Sequence, residues 1–250
     1  MTNMKAILYI GHGTRSKKGA DEAKAFLERI MPKVPVPIQE ISFLELTAPT
    51  IDEGFQRCVE KGATEITVVP ILLLAAGHMK KDIPEALALL QHQYPMVHIT
   101  IQNAFGVQNV ILDAIAELVR DEVGDLHKED GILLVGRGSS DPVIHKAFSK
   151  IEKGIVERLG IKVSSTSYLA ATVPTFPEGL ENILEKAQKR VIVIPYLLFP
   201  GLLLTEIEER CQKHGQRIIQ IGPLSRHKAM EEVVIHNAIG SVEKDAATIY

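Results

Sequence analysis

Short, nearly continuous apolar runs recur along the chain, separated by stretches with helical periodicity. In the first half the runs fall at residues 5–10, 37–43, 65–71 and 97–102 and are rich in β-branched side chains. Runs of that length and character predict strands covered on both faces. Between them, "DEAKAFLERI" places Ala23, Phe26, Leu27 and Ile30 on one helical face. "TAPTIDEGFQRCVEKG" repeats Ile51, Phe55, Cys58 and Val59 at helical spacing, with a Thr-x-Pro start and Gly62 as a stop. "IPEALALLQ" and "VQNVILDAIAELV" complete a βαβαβαβα series. Such alternation predicts a parallel sheet with helices on both faces.

The second half repeats the first. "AILYIGHG" (6–13) matches "GILLVGRG" (131–138), "SFLELTAPT" (42–50) matches "SYLAATVPT" (167–175), and "ITVVPILLL" (66–74) matches "VIVIPYLLF" (191–199). All three pairs are offset by 125 residues, half of the 250-residue chain. A tandem duplication is expected, with lobes at 1–125 and 126–250 meeting in the polar stretch "DEVGDLHKEDG". The predicted fold class is α/β: two tandem flavodoxin-like lobes, each a mainly four-stranded parallel sheet flanked by helices. The two lobes are expected to face each other across a cleft.

Open parallel sheets bind ligands beyond the carboxyl ends of their strands, where strand order reverses. In the common order 2-1-3-4, strands 1 and 3 flank that point. His12 follows strand 1, Glu45 follows strand 2 and His78 follows strand 3. The second copy has Arg137, Ala170 and Leu203 at those positions, the last in a looser alignment that admits a one-residue gap. The surrounding scaffold persists: Gly11 and Gly13 as Gly136 and Gly138, Ser42 as Ser167, Pro49 as Pro174. The chemistry is thus expected in the N-terminal lobe, with the C-terminal lobe a degenerate copy forming the opposite cleft wall.

Two imidazoles and a carboxylate suit a borderline divalent ion such as Fe²⁺, Co²⁺, Ni²⁺ or Zn²⁺, and equally suit proton removal near neutral pH. Glycines on both sides of His12 would let the backbone and a flat ligand approach closely. Basic residues follow both histidines: Arg15, Lys17 and Lys18 after the first, Lys80 and Lys81 after the second. Leu73, Leu74, Ala75, Ala76 and Gly77 form a small, apolar approach to His78. The combination fits a large flat polyanion that receives a metal. The other histidines (92, 98, 127, 145, 214, 227 and 236) show no comparable pairing and read as surface or capping residues.

Composition narrows the field further. The chain is 46% hydrophobic and 24% charged, enough apolar content for a sizeable core. Net charge is −3, with no basic tail and few aromatics, which argues against nucleic acid or an anionic membrane as partner. "MTNMKAILYIG" lacks the pattern of a secretory signal, and proline-punctuated apolar runs are too short to span a bilayer. A cytoplasmic protein is expected. Cys58 and Cys211 are far apart and outside any CxxC spacing, so they read as buried free thiols.

"YIGHGTR", "SFLELTAPTI" and "PILLLAAGHMKKDIP" together resemble the signature stretches of the class II chelatases, in particular the sirohydrochlorin chelatases, and the duplication extends the resemblance over the whole chain. The resemblance implies insertion of Fe²⁺ or Co²⁺, as substrate and without a resident cofactor, into sirohydrochlorin. It implies that His12 is proton acceptor and metal ligand, and His78 a second ligand. Glu45 and Leu73 to Gly77 would contact substrate, and Arg15, Lys80 and Arg137 would meet its peripheral carboxylates. The chain lacks the histidine-rich tail and cysteine motif of long cobalt-inserting relatives, which favours iron. A duplicated chain can build the site alone, so a monomer is expected. Cobalt insertion, a non-catalytic tetrapyrrole or metal carrier, and a phosphohistidine enzyme remain as alternatives. Phosphohistidine enzymes carry an Arg-His-Gly signature, and Gly11 stands in the arginine's place.

Overall fold

The computed structural model describes residues 3–246, except the side chains of residue 78 and of residues 241–246. The first sheet is built from β1 (Lys5–Gly11), β2 (Ile38–Phe43), β3 (Glu65–Ile71) and β4 (His98–Ile101), in the order β2-β1-β3-β4. The second is built from β5 (Gly131–Gly136), β6 (Val163–Tyr168), β7 (Val191–Pro195) and β8 (Ile218–Gln220), in the order β6-β5-β7-β8. Every pairing is parallel. Each strand of the first sheet lies within one residue of its sequence expectation. The central strands β1 and β3 are buried on both faces over most of their length, as expected, whereas the edge strand β4 is largely exposed, because only one neighbour covers it.

The helices are α1 (Lys17–Ile30), α2 (Ile51–Glu60), α3 (Ile83–Gln93) and α4 (Asn109–Val123) in the first repeat. The second has α5 (Pro142–Leu159), α6 (Phe176–Lys186), α7 (Leu202–Gln212) and α8 (Ala229–Ala246). Two of their starts differ from the sequence reading. Helix α1 begins four residues before "DEAKAFLERI", because the Ser16 hydroxyl accepts the Gly19 amide at 3.2 Å and caps it. Helix α2 begins after Thr50 rather than at Thr47-x-Pro49. Thr50 and Glu53 form a reciprocal capping box, with the Thr50 amide donating to Glu53 Oε2 at 2.7 Å. That leaves Thr47 for another task.

The duplication is visible in the cores. Leu8, Phe55, Cys58, Val68, Ile83 and Leu87 anchor one apolar cluster. Leu133, Leu180, Ile183, Val193, Ile207 and Cys211 anchor the other. Both cysteines are buried free thiols, as expected, and burial pushes each thiol up to about 12, which leaves them unreactive. A π-helical turn over His78–Asp82 leads into α3. Core positions before this turn are 125 residues from their counterparts, whereas Ile83 and Ile207, and Leu87 and Cys211, are 124 apart. A π-turn accommodates one extra residue, which accounts for the gap near His78.

The compact units change over at different points from the repeats. One unit runs to Gly106 and resumes from Glu231; the other comprises Val107–Met230. The repeats meet near residue 125, but α4 belongs to the second unit and most of α8 to the first. In the first unit Glu231 of α8 pairs with Arg29 at 3.0 Å and Lys33 at 2.6 Å. In the second, Arg158 of α5 pairs with Asp113 of α4 at 2.6 Å. The boundary at 125 therefore describes repeated sequence, and packing divides the chain elsewhere. Among the described residues no helix is long and apolar enough to cross a membrane.

Candidate active site

In the order β2-β1-β3-β4, the chain leaves β1 toward one edge and returns on its other side at β3. The carboxyl ends of β1, β2 and β3 therefore lie at the switch point. His12 directly follows β1, and Glu45 lies two residues beyond β2. The two loops are tied by backbone hydrogen bonds from Leu44 to the Gly11 carbonyl at 2.9 Å and from Glu45 to the His12 carbonyl at 3.2 Å. This brings His12 Nδ1 within 3.7 Å of Glu45 Oε1, with side-chain exposures of 30% and 44%. Both groups are thus reachable by a ligand while held in contact.

His12 Nδ1 also lies 3.2 Å from the Gly13 carbonyl. A carbonyl can only accept, so the neutral imidazole carries its proton on Nδ1 and presents Nε2 as the basic nitrogen. A proton acquired at Nε2 would make an imidazolium beside the Glu45 carboxylate, which stabilises it electrostatically.

The glycines permit the close backbone approach expected of them. A Cβ on Gly13, where φ is +89°, would stand 1.7 Å from the Glu45 carbonyl oxygen. A Cβ on Gly11 would meet the Phe43 ring at 2.9 Å. Gly138 meets the Ala170 carbonyl oxygen at 1.8 Å in the same way, although its loop has no histidine. The glycines let the β1 and β2 loops touch.

A further tie joins the same loops. Thr47 Oγ1 accepts the Thr14 amide at 2.9 Å and donates to the Thr14 carbonyl at 2.9 Å. In the other unit His145 takes over the equivalent place. Its Nε2 lies 3.0 Å from the Ser139 carbonyl and 3.4 Å from Thr172 Oγ1, and its ring meets Tyr168 edge-on. His145 is therefore an internal tie, not a surface or capping residue. His227 is a capping residue, as expected: its Nδ1 accepts the Ala229 amide at 3.2 Å at the start of α8, and its Nε2 pairs with Glu117 Oε2 at 2.9 Å. Sequence reasoning missed both Thr47 and His145; the signal available for the first was its retention as Thr172.

Leu73 to Ala76 are partly buried beyond β3, and Gly77 is exposed. The stretch is pinned by the Phe105 and Gly106 amides, which donate to the carbonyls of Leu72 and Leu73 at 2.9 Å each. The Met79 and Lys80 amides both donate to the Ala76 carbonyl at 3.1 Å, turning the chain into the π-helical segment. His78 opens that segment, and its side chain lies outside the described residues. Among the described residues, no three His, Cys, Asp or Glu side chains converge as a metal site. Arg15 and Lys80 are exposed on the first unit, and Arg137 is exposed on the second at the position matching His12.

The family model CbiX matches residues 6–122 and, a second time, residues 131–239. The chain belongs to the CbiX family. The double match independently reproduces the repeat. Among its relatives, a sirohydrochlorin ferrochelatase of Priestia megaterium is 42% identical, covering 93% of this chain and 89% of the relative. A sirohydrochlorin cobaltochelatase of the same organism is 32% identical, covering 84% of this chain and 70% of the relative. The solved structure of SirB from Bacillus subtilis with Fe³⁺ superposes at a TM-score of 0.87 with 35% identity, covering 98% of each chain. The CbiX-family fold here is the expected α/β two-lobe architecture.

Proposed function

We propose that this chain is a sirohydrochlorin chelatase, an enzyme of the lyase class that inserts Fe²⁺ into sirohydrochlorin, releasing siroheme and two protons. The observation that carries the reading is the His12–Glu45 pair. It supplies a basic Nε2 and a carboxylate at the switch point of one sheet, while the internal copy keeps the loops and discards both groups. The 42% identity to a ferrochelatase, against 32% to a cobaltochelatase, favours iron over cobalt as the metal substrate.

The macrocycle's two inner pyrrole N–H groups must lose their protons as four nitrogens take up the metal. His12 accepts a proton at Nε2, and Glu45 stabilises the resulting imidazolium. Before that, the neutral Nε2 can hold the incoming ion with His78 as second ligand; as the ion passes to the ring the freed nitrogen takes one pyrrole proton and the second leaves to water, and this donor set suits Fe²⁺ and Co²⁺ alike. Leu73 to Gly77 offer a low apolar wall. Arg15, Lys80 and Arg137 supply cations for peripheral carboxylates. The first unit does the chemistry, and in the second Arg137 contributes charge where His12 contributes a base. The enzyme works as a cytoplasmic monomer with no resident cofactor.

The reading is tested by anaerobic absorbance. Native protein with sirohydrochlorin and Fe²⁺ should convert the free-base spectrum over many turnovers, and faster than with Co²⁺. A macrocycle that binds but stays unconverted with both metals would make the protein a carrier instead.

A further inference from the structure

Leu46, between Glu45 and the Thr47 tie, breaks two local rules at once. Its φ is +63°, a left-handed conformation that branched side chains rarely adopt. Its side chain is also 53% exposed. A glycine or asparagine would suit the backbone better, and a polar residue would suit the exposure. Leu46 and Ala171 are the two non-glycine residues at positive φ among the described residues, and they occupy matched positions after β2 and β6.

That match separates what the fold requires from what it does not. The neighbouring backbone is fixed in both loops: Glu45 donates to the His12 carbonyl at 3.2 Å, and Ala170 donates to the Arg137 carbonyl at 2.9 Å. Both loops therefore hold the following residue left-handed. Ala171 shows that the loop needs no side chain beyond Cβ. The isobutyl group of Leu46 is surplus to folding, belongs to the residue directly after the Glu45 that pairs with His12, and is exposed where an apolar group gains nothing from water. Rule-breaking of this kind collects at functional sites.

We propose that Leu46 is a substrate-contact residue, covering part of the apolar face of the flat macrocycle and setting its affinity. The inference rests on the chelatase reading. Covering the ring with one leucine side chain, at roughly 25 cal/mol per Å² of apolar surface, corresponds to about a tenfold change in affinity.

The test uses the full chain with Leu46→Ala, Leu46→Gly and Leu46→Met, each measured for sirohydrochlorin binding by absorbance, for kcat and KM, and for melting temperature. Leu46→Ala and Leu46→Gly should both raise Kd and KM for the macrocycle about tenfold, with the effect on KM rather than kcat. Leu46→Met should retain most of the affinity. Leu46→Gly should melt above Leu46→Ala, because it loses the same contact and relieves the left-handed backbone. Binding by Leu46→Ala equal to native would overturn the inference while leaving the chelatase reading intact. A native protein that neither binds nor metallates the macrocycle would overturn both.

Discussion

A single imidazole carries most of the chemistry assigned to this chain, and its usefulness depends on neighbours that do no chemistry. The Gly13 carbonyl fixes the proton on Nδ1, and Glu45 stands 3.7 Å away to meet the charge that a second proton brings. Glu45→Gln should therefore lower kcat about tenfold, the scale of weakened acid–base assistance. Steady-state kinetics would check it, and an unchanged kcat would remove the carboxylate from proton transfer. Gly13→Ala is expected to do more. The added methyl must displace the Glu45 carbonyl that it would otherwise meet at 1.7 Å, which separates the very loops that pair His12 with Glu45. Activity should fall with stability. Gly138→Ala meets the same obstacle at 1.8 Å, so it should cost similar stability in a thermal melt with a smaller loss of kcat. Equal kcat losses would contradict the assignment of chemistry to the first unit.

At the scale of elements, the site is two loops fastened edge to edge. Thr47 fastens them by closing a reciprocal pair of hydrogen bonds with Thr14. Thr47→Val keeps the shape, removes the hydroxyl, and strands the Thr14 amide and carbonyl. It is expected to destabilise by about 1–3 kcal/mol, the cost of unsatisfied polar groups, and to lower kcat by loosening the His12–Glu45 contact. Thr47→Ser should recover both in denaturant titration and kinetics; a serine variant as impaired as valine would argue against the hydroxyl. The central strands were legible in the sequence because a doubly covered strand has an unmistakable apolar pattern, and His12 and Glu45 were legible because each follows a strand end at the switch point. Thr47 was not. A threonine before proline reads as a helix start, and only the stronger Thr50–Glu53 capping box, formed in three dimensions, releases it for the tie. The glycines were legible as points of close backbone approach, but the carbonyl each would meet was not, since contact between two loops leaves no mark in either loop's own pattern. The gap near His78 was visible as an offset, but its cause, a π-turn, depends on backbone hydrogen bonding that the sequence does not spell out.

At the scale of the molecule, one unit has been kept twice and altered once. Residues shared by the copies include loop glycines and prolines that shape the strand ends, and the divergent positions include His12, Glu45 and their counterparts Arg137 and Ala170. Even the entrance to each central strand was reworked. Lys5 and Glu65 lie opposite each other in the first sheet, while Asp130 and Arg190, their counterparts by the repeat, carry the reversed charges and pair at 2.9 Å. Which unit each terminal helix joins could not be read from a repeat, because the exchange of α4 and α8 alters no residue pattern within either copy. Asp130 gives the molecule a pH signature. Burial pushes its carboxyl up, but hydrogen bonds from the Arg190 guanidinium and from the His127 and Arg190 amides outweigh burial and hold it below the usual range. Its contribution is therefore present above the unfolded value of about 3.9 and is lost as pH falls through the lower folded value. Asp130→Asn should cost about 3–5 kcal/mol at neutral pH, and that deficit should shrink as urea titrations are repeated toward pH 3. A deficit that stays constant with pH would show that the charge is not what matters.

The central claim is that His12 is the proton acceptor, and that its counterpart Arg137 serves only to hold substrate. The most direct measurement is anaerobic metallation kinetics of sirohydrochlorin with Fe²⁺ for native protein, His12→Ala and Arg137→Ala, with macrocycle binding followed separately. His12→Ala should bind the macrocycle but lose about 10²–10⁴-fold in kcat, while Arg137→Ala should raise KM and keep kcat. Near-native turnover by His12→Ala would contradict the account.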